Sequence, residues 1–199
     1  MIDFNKTNFI KSAQKVNQMP PDTGAEVAFA GRSNAGKSST INCLTDIRGL
    51  AKTSKTPGRT QLLNCFALNE DASLRLIDLP GYGYAKVSKS KRELWQKHLA
   101  NYFEVRQSLK LVVVLMDIRH PLTELDRDMI DWAIDGGLHV HIVLTKSDKI
   151  SKNKAKSTEM QVYKHYELAQ DFVTVQSFSS LKKDGILPLK AAIERVICS

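Results

Sequence analysis

Cysteine is scarce in this 199-residue sequence: Cys43, Cys65 and Cys198 are odd in number, widely spaced and form no C-x-x-C. That indicates neither a disulfide framework nor a zinc site, and a reduced, cytoplasmic setting fits best. No apolar stretch reaches the ~18 residues of a membrane span. The opening residues, Met1-Ile2-Asp3-Phe4-Asn5-Lys6, lack the apolar core of a signal peptide. No Pro/Gly/Ser-rich linker divides the chain and no repeat is visible, so its length suits one well-buried α/β domain. Acid falls short of base: 21 Asp plus Glu against 29 Lys plus Arg leaves a net +8. This is a modest pointer to a polyanionic partner.

What is present is organised around Gly31-Arg32-Ser33-Asn34-Ala35-Gly36-Lys37-Ser38, a G-x-x-x-x-G-K-[ST] phosphate loop. Glu26-Val27-Ala28-Phe29-Ala30 before it reads as a buried strand. Lys37 to Leu44 after it, with Ile41 and Leu44 at helical spacing, reads as a helix. The glycines let backbone amides approach an anion, and the helix N-terminus favours phosphate. Lys37 is the expected contact to the β- and γ-phosphates, and Ser38 offers a hydroxyl to Mg²⁺.

Residues 1–25 read as an extension before the domain of residues 26–199. Phe9, Ile10 and Ala13 suggest an edge helix that ends at Pro20-Pro21-Asp22. Residues 45–60 read as a basic mobile loop. Strands are expected at 62–68 and 74–78, joined by a tight turn and therefore antiparallel. A second polar stretch runs from Tyr82 to Arg92, followed by helical spacing through Leu94, Trp95, His98, Leu99, Tyr102 and Phe103. Leu111 to Asp117 is an apolar run ending in an acid, the pattern of a strand buried on both faces. A helix through Leu125 and Trp132, a strand over 139–145, a lysine-rich helix over 152–169, a strand over 172–175 and a helix after Gly185 complete the chain. The alternation predicts a mostly parallel sheet covered on both faces, with ligands at the carboxyl ends of its strands. His139 and His141 share a strand face without a third ligand in view, which points to a satisfied or solvated pair.

Two further motifs fall at strand ends. In Asp78-Leu79-Pro80-Gly81, Asp78 is placed to hold metal-bound water beside Ser38, and the Gly81 N–H to meet the γ-phosphate. Thr145-Lys146-Ser147-Asp148 is the sharper clue. Guanine presents two donors side by side, N1–H and N2–H₂, and a carboxylate accepts both, so Asp148 reads as the guanine selector. Lys146 would lay its stem over the base. Phe178-Ser179-Ser180 would supply a backbone N–H to the guanine O6. Gly58-Arg59-Thr60-Gln61-Leu62 would cover the γ-phosphate, with Thr60 as second hydroxyl on Mg²⁺.

The set resembles a translation-factor-type GTPase domain and, more closely, the EngB (YihA or YsxC) family of bacterial ribosome-biogenesis GTPases. The carrying stretches are the phosphate loop, Lys55 to Gln61, Asp78 to Ala85, Met116-Asp117-Ile118-Arg119-His120-Pro121-Leu122 and Phe178 to Lys183. The Asp-Ile-Arg-His-Pro-Leu stretch is the family-specific mark. The resemblance implies a six-stranded Ras-like P-loop GTPase sheet with one antiparallel strand and helices on both faces. It also implies GTP or GDP with Mg²⁺ on Ser38, Thr60 and Asp78, a role in assembling the large ribosomal subunit from rRNA and ribosomal proteins, and normal cell division and septation. A cytoplasmic monomer is expected.

Ras-type relatives orient the attacking water with a glutamine just past D-x-x-G. Here Tyr82-Gly83-Tyr84 stands instead, so slow intrinsic hydrolysis is expected, assisted by a partner, rRNA or a cation. Some wider relatives place K⁺ near the β- and γ-phosphates with an Asn matching Asn34. The alternative for Asn34 is a bond within the loop. Catalysis would thus rest on Lys37, Thr60, Gly81 and Asn34. The loop cations Arg48, Lys52, Lys55, Arg59, Lys86, Lys89, Lys91 and Arg92 are either a solvated face or an RNA-facing surface. Tyr82 and Tyr84 either stack on bases or pack on the core. Two other classes stay open: a small-molecule kinase, which the guanine selector disfavours, and an RNA-binding protein with a structural nucleotide site.

Overall fold

A computed structural model describes residues 2–52, 62–83 and 99–198. Seven strands form one sheet: β1 (Asn8–Ala13), β2 (Ala25–Gly31), β3 (Leu63–Ala67), β4 (Leu74–Asp78), β5 (Leu109–Asp117), β6 (His139–Thr145) and β7 (Val173–Ser177). Their spatial order is β1-β3-β4-β2-β5-β6-β7. Pairs β2–β4, β2–β5, β5–β6 and β6–β7 are parallel, and β3 runs against both of its neighbours. The described helices are α1 (Lys37–Thr45), α2 (Glu124–Asp135), α3 (Lys152–His165) and α4 (Ile186–Ile197), with residues 99–105 also helical.

The central strands are apolar on both sides, and their alternation sorts side chains into two cores. Ala28, Val112, Val114, Ile142 and Leu144 face Tyr102, Met129, Ile130 and Val162 on one side. Val27, Phe29, Val113, Leu115 and Val143 face Ile41, Leu44, Leu189 and Ile193 on the other. Helices therefore cover both faces, as the alternation of elements predicts. Gly136 follows the last residue of α2, where a helix stop is expected.

The strand count and the N-terminal segment correct the sequence reading. The sheet has seven strands, not six, because residues 8–13 form an edge strand, not an edge helix. The spacing of Phe9, Ile10 and Ala13 suits a helix. What overrides it is the open edge of β3, which β1 satisfies through pairs from Asn8↔Ala67 to Ala13↔Leu63, with a bulge between Phe9 and Lys11. Phe9 gains an edge-on contact with Phe66, ring centroids 5.9 Å apart. Ahead of β1, Phe4 is buried in the second core under the Lys190 ammonium.

Glu26 at the start of β2 is fully buried, a charged residue inside a strand that is otherwise apolar. Its carboxylate accepts from Arg75 Nε (2.8 Å), Arg106 Nε (3.0 Å), Arg106 Nη2 (2.6 Å) and Tyr102 Oη (3.3 Å). This cluster ties β2, β4 and the segment after residues 99–105 at the end of the sheet remote from the phosphate loop.

His141 is buried and satisfied, hydrogen-bonded to Thr174 Oγ1 (2.7 Å) and Gln176 Oε1 (2.8 Å), while His139 packs on Phe172. Burial pushes the His141 pKa from 6.5 down to about 4, with Arg195 adding repulsion. The unfolded imidazole therefore takes up its proton below pH 6.5, and the folded one only near pH 4. Stability from this site is whole above pH 6.5 and is lost as pH falls through that window, up to about 3 kcal/mol. Denaturant midpoints between pH 7 and 4 should fall less steeply in His141→Gln than in the parent.

Candidate nucleotide site

The phosphate loop joins β2 to α1, and its two glycines answer different needs. A Cβ on Gly31 would lie 2.9 Å from the Leu115 carbonyl, so close strand packing demands glycine there. Gly36 has room but adopts φ 92°, a left-handed conformation that side chains resist. Asn34 is also left-handed, at φ 67°. The loop is fastened from several directions. Ser33 N–H donates to the Tyr82 carbonyl (2.8 Å) and Ala35 N–H to that of Arg32 (2.9 Å). Thr145 Oγ1 donates to the Ala35 carbonyl (2.6 Å) and Lys146 Nζ to the Asn34 carbonyl (2.8 Å).

Lys37, at the start of α1, forms a close ion pair with Asp78 at the end of β4. Asp78 Oδ2 also accepts from Asn64 Nδ2 at 3.4 Å. Asn64 is a site neighbour that sequence reasoning missed, since an Asn within a strand carries no motif; its pairing opposite Asp78 is visible only once β3 and β4 are in register. Ser38 Oγ donates to the Lys52 carbonyl at 3.3 Å. Leu79 is buried in the first core, and Pro80 and Gly81 lead to Tyr82. The Tyr82 ring packs in the core and its hydroxyl donates to Asp126 Oδ1 at 2.9 Å, so Tyr82 packs rather than stacks on bases.

The elements expected to select guanine also converge. Thr145 is buried at the end of β6, and Lys146 turns the chain with φ 59°. Asp148 Oδ1 accepts the Ser179 hydroxyl at 2.7 Å, a bond that holds its carboxyl below the usual range and keeps it an acceptor. Ser147 N–H donates to the Phe178 carbonyl (3.1 Å), and the Phe178 N–H to that of Leu144 (2.8 Å), so the two loops are stitched together. The Ser180 carbonyl accepts from Cys43 Sγ of α1. Gly58, Arg59, Thr60 and Gln61, with Lys55, Tyr84, Lys86, Lys89, Lys91 and Arg92, lie outside the described residues; Leu62 leads directly into β3.

The donor set suits a hard cation. Ser38 offers a hydroxyl and Asp78 a carboxylate that already holds an ammonium, and both groups are hard oxygens of the kind Mg²⁺ takes. Among the described residues no three His, Cys, Asp or Glu side chains cluster as metal ligands, and no helix is long and apolar enough to cross a membrane.

Comparison with known proteins agrees with this geometry. A family described as 50S ribosome-binding GTPase matches residues 26–146. The probable GTP-binding protein EngB of Coxiella burnetii (strain CbuG_Q212) is 50% identical over 192 residues, 96% of this chain and 93% of that protein. The protein of the same name from Pseudoalteromonas translucida is 52% identical over 185 residues, 93% of this chain and 83% of its own. A crystal structure of a probable GTP-binding protein EngB superposes with a TM-score of 0.71 at 24% identity, covering 87% of this chain and 98% of that one. The bacterial selenocysteine-specific elongation factor EF-Sec shares the fold, with a TM-score of 0.63 at 22% identity over 87% of this chain and 28% of its own. With half of its residues shared with these proteins over nearly its whole length, the chain belongs to the EngB family of GTP-binding proteins, which are P-loop GTPases.

Proposed function

We propose that this GTPase is a slow switch that binds a large-subunit ribosomal particle during its assembly and leaves it when GTP becomes GDP. The observation that carries the switch reading is the junction of the two loops: Thr145 and Lys146 bond to successive phosphate-loop carbonyls. One rigid unit thereby senses base and phosphates together. The ribosomal reading is supported by the description of the matching family and by the net charge of +8.

In this reading Lys37 leaves Asp78 to meet the β- and γ-phosphates, and Asp148 accepts the guanine donors. Ser38, Asp78 and Thr60 hold Mg²⁺, which supplies positive charge against the phosphate oxygens. Tyr82 occupies the position after D-x-x-G with its ring in the core, so it does not polarise water, and intrinsic turnover is slow. A K⁺ held by Asn34 is the proposed source of the missing charge; faster turnover in KCl than in NaCl tests it, and equal rates remove the ion. A cytoplasmic monomer fits this role, and defective division and septation would follow from a shortage of ribosomes.

The test of the switch is sedimentation with purified large-subunit particles. More protein should pellet with a non-hydrolysable GTP analogue than with GDP, and pelleting should fall steeply between about 50 and 200 mM salt as phosphate-bound counterions are released. Equal pelleting with both nucleotides would leave a basic RNA-binding protein with a structural nucleotide site. No pelleting would remove the ribosomal particle as partner.

A further inference from the structure

The carboxyl end of β5 carries an acid, Asp117, and just beyond it an arginine, Arg119, to which the nucleotide site described above assigns no role. Asp117, its last residue, pairs in register with Thr145 of β6. The next residue, Ile118, donates its N–H to the Thr145 carbonyl at 3.0 Å. Asp117 therefore stands beside the start of the guanine loop as a direct result of strand pairing. Arg119 grips its carboxylate in a fork, Nε to Oδ1 at 2.9 Å and Nη2 to Oδ2 at 2.6 Å, and the Arg119 N–H adds a bond to Oδ1 at 3.1 Å. On the other side, Lys146 Nζ lies 3.0 Å from Asp117 Oδ2 and 2.8 Å from the Asn34 carbonyl.

Lys146 is thus held by two acceptors on separate elements, one in the phosphate loop and one at the end of β5. A lysine stem is flexible and its ammonium strongly hydrated, so it covers a planar base well only when its tip is tied down. The Asn34 carbonyl supplies a dipole; Asp117 supplies a full charge. The Arg119 fork fixes the plane of that carboxylate and occupies both oxygens. A forked Asp117 holds the ammonium without competing with Asp148 for the guanine donors.

We propose that Asp117, locked by Arg119, is a positioning residue for Lys146, and that this pair sets how long guanine nucleotide stays bound. The proposal rests on the placement of Lys146 against the base. A different role for the same geometry is purely local: the cluster caps β5 and the turn in which His120 N–H donates to the Asp117 carbonyl. The two roles differ in coupling. A counterion for Lys146 loses its effect when the ammonium is gone, whereas a cap does not.

The experiment measures release of a fluorescent N-methylanthraniloyl-GDP from the full chain. The variants are Asp117→Asn, Arg119→Ala, Lys146→Met and the double variant Asp117→Asn/Lys146→Met. Lys146→Met keeps an apolar stem and removes the ammonium. Asp117→Asn should speed release about tenfold, since losing a partner in a charge pair acts mainly on the off-rate. Arg119→Ala should speed it about threefold, because the fork braces the pair from a half-exposed side chain. In the Lys146→Met background, Asp117→Asn should change release less than about twofold. Equal acceleration by Asp117→Asn in both backgrounds would overturn the proposal in favour of the cap, and no acceleration would overturn it outright. Unchanged release in Lys146→Met alone would instead remove Lys146 from the base and the proposal with it. Should Asp117→Asn fold poorly, Arg119→Ala with and without Lys146→Met carries the same comparison.

Discussion

Asp148→Asn should weaken binding of GDP and GTP by roughly 2–4 kcal/mol, because two hydrogen bonds to a charged acceptor are lost in a fitted site. The loss should be specific to the base. Asparagine keeps one oxygen, which the Ser179 hydroxyl already uses at 2.7 Å in the parent. Its other atom becomes an amide that faces the guanine donors with donors of its own. Xanthine carries a carbonyl at C2, so the same amide should bind it, and xanthosine diphosphate should gain where GDP loses. Titration of the variant with both nucleotides reads the exchange. Unchanged GDP affinity would remove Asp148 from the base. A uniform loss for both nucleotides would mean that the loop had collapsed.

The other large effect is expected at the opposite end of β2. Glu26→Ala should destabilise the fold by about 3–5 kcal/mol, the usual result of stripping one partner from a buried ion cluster. Arg75 and Arg106 are both almost wholly buried and would keep only carbonyl partners, at Ala72, Thr23, Pro20 and Pro21, with Asp22 beside Arg106. Glu26→Gln keeps the shape but sets an amide against two guanidiniums, so an intermediate loss is expected. Urea denaturation reads both. GDP affinity of the folded fraction should stay near that of the parent, since Glu26 and Gly31 lie at opposite ends of the strand. A loss of affinity without a loss of stability would contradict this account.

The contrast between these two acids shows what the sequence displays. Asp148 sits in a four-residue pattern whose chemistry is local, and its partner Ser179 sits in a second one. The phosphate loop and Asp78 are legible for the same reason: each needs particular residues at fixed spacing after a strand. The parallel sheet is legible because Leu111 to Met116 admits little besides a doubly covered strand. The role of Glu26 is not legible, since it reads only as the first residue of a buried apolar strand and nothing nearby marks a partner for its charge. Its partners lie 49 and 80 residues away, and topology alone joins them. β1 was hidden differently. Its side chains are mostly exposed, so no apolar alternation marks it, and its three apolar residues happen to match a helical face. Asp117 and Arg119 appear in the sequence as a family-specific stretch, but their purchase on Lys146 depends on the register of β5 and β6.

The edge position of β1 constrains the order in which the protein acquires its structure as it is made. Residues 8–13 are made well before their native partner, β3 at residues 63–67. β3 in turn hangs on β4, and β4 on β2. During synthesis β1 therefore reaches its native place only after some 60 further residues have followed it. Closing so long a loop costs more entropy than forming the β3–β4 hairpin, so the hairpin leads and β1 docks afterwards onto its edge. In the interval the apolar Phe9 and the outer rim of β3 are both uncovered. An unpaired strand edge beside an exposed aromatic ring invites pairing with another chain, so loss to aggregation is set by how long that edge stays open, separately from the stability of the completed fold.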